Sequence, residues 1–317
     1  MTSPAAPPTS PTPVNRARPV AAIAPRATCS ASRTVTGSGV GTTRASARRT
    51  TSGASRETSA VKSPPRVAAR KVPLLRAHGL TLRVLSRSPR ADFDGVTHVR
   101  GALVTGEGVA EAVRGVRTVV HLAGGPKGDD TAARSLAEAA VRAGITRLVY
   151  VSVIGVDTMP LAWFRTLGRA EEAVTTSGVP YSVLRAAQFH DLVLKMAAGM
   201  ARLPVVPAPG GPRFEPVDVR EVVARLVEPA LGEPAGQVPD LAGPRVYDLG
   251  ELVRGYLAVT GRRRPLLPLR VPGRAGRAYR AGENLAPEGV ERGRRSWEEF
   301  LAERVAAPAG SPVRPRG

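Results

Sequence analysis

Residues 118–153 read TVVHLAGGPKGDDTAARSLAEAAVRAGITRLVYVSV, and this stretch decides the fold. Two short apolar runs, at 118–123 and 148–153, enclose a segment whose apolar residues recur at helical spacing. That segment, 130–143, ends before Gly144, a residue type that commonly closes a helix. Continuous apolar strands separated by such a helix are typical of parallel strands joined by a crossover, with helices on both faces of the sheet.

The same alternation continues on both sides of this unit. Before it, the sequence predicts strands at 80–85 and 97–99, and after it a helix at 164–176 leads into a strand at 181–184. The expected fold class is therefore α/β, a Rossmann-like, doubly wound parallel sheet. From about residue 186 helices predominate, which predicts a small, mostly helical C-terminal lobe over the carboxyl edge of the sheet. Its predicted helices span 191–202, 219–231, 249–260 and 296–304.

The N-terminal segment has a different composition from the rest of the chain. Residues 1–66 contain 21 Ser or Thr and nine Pro but no Phe, Trp or Tyr. Such a segment buries too little apolar surface to offset the entropy of ordering, so we expect it to be disordered. Residues 306–317 are predicted to be a second disordered tail. The folded domain is expected to span residues 67–305.

Charge and targeting patterns narrow the class of protein. The net charge is +20, and residues 1–66 hold ten Lys or Arg against a single acid, Glu57. Basic segments attract nucleic acid or anionic membranes, but these arginines lack aromatic interleaving and any nucleic-acid-binding motif. We expect no specific nucleic-acid partner, no membrane partner and a cytoplasmic location, because neither a membrane span nor a secretory signal is evident. The single cysteine, Cys29, excludes an intramolecular disulfide.

A series of short motifs follows in order along the predicted domain. They are His121-Leu-Ala-Gly124, Ala139-Ala-Val-Arg-Ala-Gly144, Leu148-Val-Tyr-Val-Ser152, Tyr181-Ser-Val-Leu-Arg185, Gln188-Phe189, Phe214-Glu-Pro-Val-Asp-Val219 and Trp297-Glu-Glu-Phe300. Together they resemble the atypical short-chain dehydrogenase/reductase family of NmrA-like, NAD(P)-binding proteins. The resemblance implies a Rossmann-type sheet that binds NADP or NAD, with the backbone at Leu122, Ala123 and Gly124 along the cofactor.

The turn after the strand at 80–85 bears on the choice of cofactor. It reads Ser86-Arg87-Ser88-Pro89-Arg90. NAD-specific proteins place an acid here for the ribose hydroxyl, whereas NADP-specific proteins place an arginine for the 2′-phosphate. Ser86, Arg87 and Arg90 are therefore predicted to bind the cofactor, and NADP is favoured over NAD. The alternative is that the two arginines belong to a solvated basic turn.

The glycine-rich phosphate loop is the first departure from the family pattern. The helix around Val72 is preceded by Ser63-Pro64-Pro65-Arg66 instead of a strand and a glycine loop. The glycines within 36–41 have the wrong spacing and lie too early in the chain. A missing central strand would leave buried amides unpaired at about 1 to 3 kcal/mol each. Either Val20–Ala24 or Arg33–Thr36 fills the gap, the domain is defective, or residues 1–66 are an out-of-frame reading of the true N-terminus.

The catalytic dyad is the second departure. Hydride-transferring relatives use a Tyr as acid and a Lys one helical turn later. At the matching positions this sequence has Trp163 and Leu167, and an indole cannot donate a proton to a developing alkoxide. By position, Ser152 is the candidate catalytic residue, also near the cofactor, while Trp163, Gln188 and Phe189 are predicted to border the substrate pocket.

The adjacent pair His190-Asp191 has a simpler interpretation than an acid–base pair, because neighbouring helical residues point apart. Asp191 is predicted to be an N-cap and His190 to line the crevice.

Three functions remain open from the sequence. The first is an NAD(P)-binding oxidoreductase, NADP-linked, that acts on an unidentified small organic substrate. The second is a non-catalytic NADP(H)-binding redox sensor that signals to a regulatory protein partner, which the residues Trp163 and Leu167 favour. The third is a defective variant that binds no cofactor.

Overall fold

The structure is a computed structural model, and it describes residues 20–23, 81–88, 91–93, 95–122 and 127–305. The strands of these residues, numbered in chain order, are β1 Val20–Ile23, β2 Leu82–Ser86, β3 Val96–Arg100, β4 Thr118–His121, β5 Arg147–Val153, β6 Tyr181–Ala186, β7 Val206–Gly210, β8 Arg213–Phe214, β9 Gly236–Ala242, β10 Tyr247–Asp248, β11 Leu266–Arg270 and β12 Glu291–Arg292.

The helices of the same residues cover the sheet and build the C-terminal lobe. They are α1 Val109–Val113, α2 Asp129–Arg142, α3 Ala162–Thr175, α4 His190–Met200, α5 Val219–Leu231, α6 Leu249–Val259, α7 Gly273–Ala281 and α8 Trp297–Arg304. Within the described ranges, no helix is both long and apolar enough to cross a membrane.

Eight parallel strands form the main sheet in the order β12-β9-β6-β5-β4-β1-β2-β3. Six of them follow the order 3-2-1-4-5-6, which is that of doubly wound dinucleotide-binding sheets. In such a sheet the direction of winding reverses between β1 and β4. The loops that leave the carboxyl ends of these two strands diverge, and ligands bind in the crevice that opens there.

The central position of the sheet is filled by the N-terminal segment. Strand β1 pairs in parallel with β2, with Val20 opposite Leu82, and with β4, with Ile23 opposite His121. This confirms the first of the two candidate segments for the missing strand. It also corrects the expectation that all of residues 1–66 lack regular structure. The alternative strand at 33–36, the glycines at 36–41 and the predicted helix around Val72 lie outside the described residues.

The two faces of the sheet are covered by different helices, as expected for a doubly wound sheet. On one face, α5 packs through Val222 and Leu226 against Val149 and Leu184, all nearly inaccessible to solvent. On the other face, α2 and α3 pack against side chains of β2, β4 and β5, with Leu136 at the centre. Strands buried on both faces account for their continuous apolar sequences.

The C-terminal half contains more strands than the sequence predicted. Strands β9 and β12 extend the main sheet beyond β6, while β7 pairs with β11 and β8 with β10 in two small sheets. Helix α7 was also not predicted. Strands of two residues give no periodic signal, and the prolines within β7 and β11 weaken the strand pattern. A separate core, in which Leu252, Trp297 and Phe300 are buried, joins α4, α6 and α8.

Candidate functional site

The turn after β2 lies next to the winding reversal. Ser86 ends the strand half-buried, and its Oγ donates a hydrogen bond to the carbonyl oxygen of Ser88 at 3.1 Å. Arg87 follows, and its side chain is exposed. Because β2 is the neighbour of β1, both residues lie at the carboxyl edge one strand away from the crevice. Arg90 lies outside the described residues.

Strand β4 brings a buried aromatic pair to the same edge. His121 ends the strand and stacks on Tyr150 of β5, with the ring centroids 5.3 Å apart. Burial raises the pKa of the Tyr150 phenol, and the charges of Asp129 and Glu171 raise it further. The phenol therefore stays protonated at neutral pH. No local sequence pattern predicts this pair, because only the register of β4 on β5 brings the two rings together.

Leu122 follows His121 and is buried. Ala123 and Gly124, predicted to lie along the cofactor, are outside the described residues, so their placement stays a prediction.

Two buried polar groups stand at the carboxyl ends of neighbouring strands. Ser152 is the second-last residue of β5, and Gln188 lies two residues beyond the end of β6. Both residues are 6% exposed. Within the described part of the chain, neither the Oγ of Ser152 nor the Oε1 of Gln188 has a hydrogen-bond partner. Buried polar atoms are rarely left unsatisfied, so these two indicate a polar ligand at this edge.

Phe189 follows Gln188 and caps α4. Its ring is partly buried against the core on the α5 face of the sheet, and its backbone forms a bridge to Val217. Gln188 and Phe189 thus lie just beyond β6, and their place at the border of the substrate pocket stays a prediction.

Trp163 and Leu167, which occupy the positions of the family's Tyr and Lys, differ in how deeply they are buried. Trp163 lies in the first turn of α3, half-buried, with its ring edge-on to Phe164 at 5.0 Å between centroids. Leu167, one turn later, is 7% exposed and packs in an apolar cluster with Val153 and Met159. An ammonium group placed there would be desolvated among apolar side chains. This end of α3 therefore offers apolar surface instead of a proton donor.

An ion-pair network fixes the elements around Ser152. Arg185 of β6 donates to Glu171 of α3 at 2.6 Å and to Asp157, in the turn after β5, also at 2.6 Å. Burial lowers the pKa of the Arg185 guanidinium, but the two carboxylates more than offset this effect and raise it overall. The network ties α3 and the β5 turn to β6. It therefore fixes the positions of these elements around Ser152.

The structure corrects the interpretation of His190 and Asp191. His190 is 1% exposed and stacks on Trp297 and Phe300 in the core of the C-terminal lobe, so it does not line the crevice. Asp191 pairs with Arg304 of α8 at 3.2 Å and is not the N-cap, a position that Phe189 occupies. Helix α8, which lies more than 100 residues later in the sequence, supplies the partners of both residues. Local spacing therefore could not predict the surroundings of His190 and Asp191.

These residues fit a nicotinamide dinucleotide at its two ends. At the end of β2, Ser86 and Arg87 are residues that could bind an adenosine ribose and its phosphate. At the ends of β5 and β6, the Ser152 hydroxyl and the Gln188 amide oxygen have no partner among the described residues. The amide oxygen could accept from a carboxamide, and the hydroxyl could donate to a substrate oxygen. The residues that follow β1, where a diphosphate would bind, lie outside the described residues.

Comparison with known sequences decides the family. A sequence profile for a family described as NAD(P)H-binding matches residues 66–227, about half of the chain. The chain belongs to this NAD(P)H-binding family. The profile match supports the resemblance to NAD(P)-binding proteins that the sequence motifs indicated.

A curated relative is similar over part of its length. It is the (4-alkanoyl-5-oxo-2,5-dihydrofuran-3-yl)methyl phosphate reductase of Streptomyces griseus subsp. griseus, 30% identical over 188 residues. The match spans 57% of this chain and 66% of that relative.

Solved structures of the same fold include two with bound nicotinamide cofactors. MoeE5 in complex with UDP-glucose and NAD is similar with a TM-score of 0.58 and 19% identity, over 75% of this chain and 94% of that chain. The NADPH-dependent quinone oxidoreductase of Escherichia coli, complexed with NADPH, has a TM-score of 0.57 and 17% identity, over 77% and 93%. At these identities the likeness shows the fold alone.

Proposed function

We propose that this NAD(P)H-binding protein is an NADPH-dependent reductase of electron-poor conjugated acceptors, such as enones and quinones. The observation that carries the proposal is the pairing of two features at one edge of the sheet. Buried polar groups at the ends of β5 and β6 have no partner among the described residues, whereas α3 presents an indole and a leucine where a proton donor is expected.

Ser152 and Gln188 would bind the polar groups of the reacting pair. The Oε1 of Gln188 is an acceptor suited to the amide N–H of a carboxamide, and the Ser152 hydroxyl can donate to an oxygen that gains negative charge. The cofactor, when bound, supplies a hydride. The Arg185 network holds the turn after β5 and therefore orients Ser152.

The missing proton donor determines the substrate class. Reduction of a simple aldehyde produces an alkoxide, which needs a strong positioned acid. Hydride addition to an enone or a quinone produces an enolate or a phenolate, which is far less basic and can take its proton from water. One hydrogen-bond donor such as Ser152 is sufficient to stabilise that charge. The oxo-dihydrofuran substrate in the name of the Streptomyces griseus relative is also a conjugated acceptor.

The cofactor preference rests on Arg87. Its guanidinium is exposed at the carboxyl end of β2, and residues 86–90 contain no acid that would bind a ribose hydroxyl. A guanidinium forms bidentate, charge-assisted hydrogen bonds with phosphate, so the 2′-phosphate of NADPH is a suitable ligand.

Fluorescence titration with NADPH and NADH tests the preference. We expect the unmodified chain to bind NADPH more tightly, and Arg87→Glu to weaken NADPH by roughly 30-fold, or about 2 kcal/mol, with NADH unchanged. Arg142→Glu is the matched control, since its side chain is 67% exposed on α2 and pairs with Glu138 on the same helix. Equal effects of the two charge reversals, or a preference of the unmodified chain for NADH, would refute the role of Arg87.

Turnover with a panel of acceptors tests the chemistry. NADPH oxidation is expected with 1,4-benzoquinone and 2-cyclohexenone but not with benzaldehyde. Ser152→Ala should lower kcat by about 100-fold with little change in cofactor affinity, because the hydroxyl acts on the developing anion. Ser135→Ala removes a half-buried hydroxyl from α2 and should have no effect. Reduction of benzaldehyde at a comparable rate would contradict the proposal.

A redox sensor is the second candidate function, and the same observation on Trp163 and Leu167 favours it. A sensor would bind NADPH at Arg87 without oxidising any acceptor in the panel. Binding without turnover would therefore replace the reductase proposal with this one.

A further inference from the structure

The small sheet of β7 and β11 has an apolar face that points away from the lobe. Leu267 pairs with Pro207 and Leu269 with Pro209 in the parallel register. Side chains two residues apart lie on the same face of a strand, so these four share one face. Leu267 is 50% and Leu269 45% exposed, whereas Val206, on the opposite face, is fully buried in the lobe core. Two leucines are thus held outward by a rigid sheet.

Arginines surround these leucines. Between Leu252 and Gly282 the sequence has eight arginines and no Asp or Glu. Three of them, Arg262, Arg263 and Arg264, are exposed directly before β11, and Arg270 is exposed at its end. We call Arg262, Arg263, Arg264, Leu267 and Leu269 the β11 face.

The arginines of this stretch differ from others in the same lobe. Arg220, Arg292 and Arg304 each form an ion pair with a carboxylate. Within the described residues, none of the eight arginines between 252 and 282 forms an ion pair. Their charge is therefore not neutralised by the folded protein. It is available to an external anion.

A cleft adjoins the β11 face. It has a volume of about 480 Å³, and it is lined by Arg254, Arg262, Arg263 and Arg264 together with the apolar residues Leu257 and Leu266. Cationic and apolar side chains around one cleft match an anionic group attached to a hydrocarbon chain. A single phospholipid combines both chemistries.

We propose that the β11 face docks on the surface of a bilayer that contains anionic lipids. Basic residues near such a surface are attracted to it, and neighbouring aliphatic side chains add binding energy by entering the boundary between headgroups and acyl chains. A second copy of the chain would bring arginines against arginines. Nucleic acid would match the charge but would leave the leucines against a polar backbone. The contact is peripheral, and it is independent of the cofactor chemistry proposed above.

The sequence led us to expect no membrane partner. That expectation was based on the N-terminal arginines and on the absence of a spanning segment. Only the tertiary structure shows that Leu267 and Leu269 are exposed and that, within the described residues, the neighbouring arginines form no ion pair.

Flotation with lipid vesicles tests the proposal. The full chain should bind vesicles of phosphatidylcholine with 30% phosphatidylglycerol, and it should bind pure phosphatidylcholine poorly. Replacing Arg262, Arg263 and Arg264 with Gln should weaken binding at low salt by on the order of 100-fold, which corresponds to about 1 kcal/mol for each arginine. Replacing Leu267 and Leu269 with Ser should abolish the binding that remains at 0.5 M salt, where charges are screened.

The matched control is the triple substitution of Arg114, Arg117 and Arg142 with Gln, which removes the same charge from exposed positions away from the lobe. It should bind vesicles like the unmodified chain. All variants should keep their circular dichroism spectrum and their NADPH affinity, since the β11 face lies outside the proposed site.

Three results would overturn the proposal. The first is equal binding to neutral and anionic vesicles, or to neither. The second is undiminished binding of the Arg262, Arg263 and Arg264 variant, which would assign the attraction to the basic residues 1–66. The third is a dimer in size-exclusion chromatography that Leu267→Ser and Leu269→Ser dissociate without affecting vesicle binding, which would assign the face to a second copy.

Discussion

Acidification is expected to destabilise the C-terminal lobe through His190. Its imidazole stacks on both Trp297 and Phe300, with ring centroids 5.9 and 4.8 Å away, and is 1% exposed. Within the described residues, neither ring nitrogen has a hydrogen-bond partner. Burial lowers the pKa of His190 to about 4 from the usual 6.5, although the charges of Asp218 and Glu298 oppose the shift. The folded protein therefore holds the imidazole neutral.

The sign and size of the effect follow from the two pKa values. Between pH 6.5 and 4 the unfolded chain binds a proton at this site that the folded protein does not, so stability falls as the pH falls. The contribution is fully present above pH 6.5. About 2 kcal/mol is lost by pH 5 and about 3 kcal/mol below pH 4, at about 1.4 kcal/mol for each pH unit. Such a loss is a large fraction of typical domain stability.

Urea unfolding at pH 7.5, 6, 5 and 4.5 measures the effect in the unmodified chain and in His190→Phe. Phenylalanine keeps the aromatic stack but cannot bind a proton. The carboxylates of the lobe are common to both proteins, so the difference between their unfolding free energies isolates His190. We expect that difference to change by about 2 kcal/mol in favour of the variant between pH 7.5 and 5. A constant difference over this range would refute the reasoning.

Two further predictions concern the fold. Ala22→Pro removes a backbone N–H from β1, which pairs on both sides, so we expect loss of cooperative unfolding and of NADPH binding; a variant that folds normally would show that β1 is not central. Gly101→Ala places a Cβ in steric overlap with the carbonyl oxygen of Glu107 and should lower the free energy of unfolding by about 3 kcal/mol, measured by thermal unfolding. Gly199→Ala, whose Cβ meets open space on α4, should instead stabilise by about 1 kcal/mol, and equal effects of the two substitutions would contradict this account.

Some of the candidate site was predictable because it depends on position along the sheet. The carboxyl ends of parallel strands meet at one edge, so Ser86, Arg87, Ser152 and Gln188 could be assigned to that edge from strand order alone. The buried pair of His121 and Tyr150 could not, since neither residue carries a pattern that distinguishes it from the core. Only the pairing of β4 with β5 places one ring on the other.

The sequence by itself determined the alternation of strands and helices from β2 to α3, because strands buried on both faces need continuous apolar runs and their crossover helices need one apolar stripe. It could not choose between Val20–Ala24 and Arg33–Thr36 for the central strand, since four residues give no decisive local signal. Hydrogen bonding to β2 and β4 on both sides selects Val20–Ile23. The placement of β9 and β12 in the main sheet, and the outward position of Leu267 and Leu269 set by the pairing of β11 with β7, likewise depend on contacts between residues far apart in the chain. Such contacts are decided by packing and register, which only the tertiary structure contains.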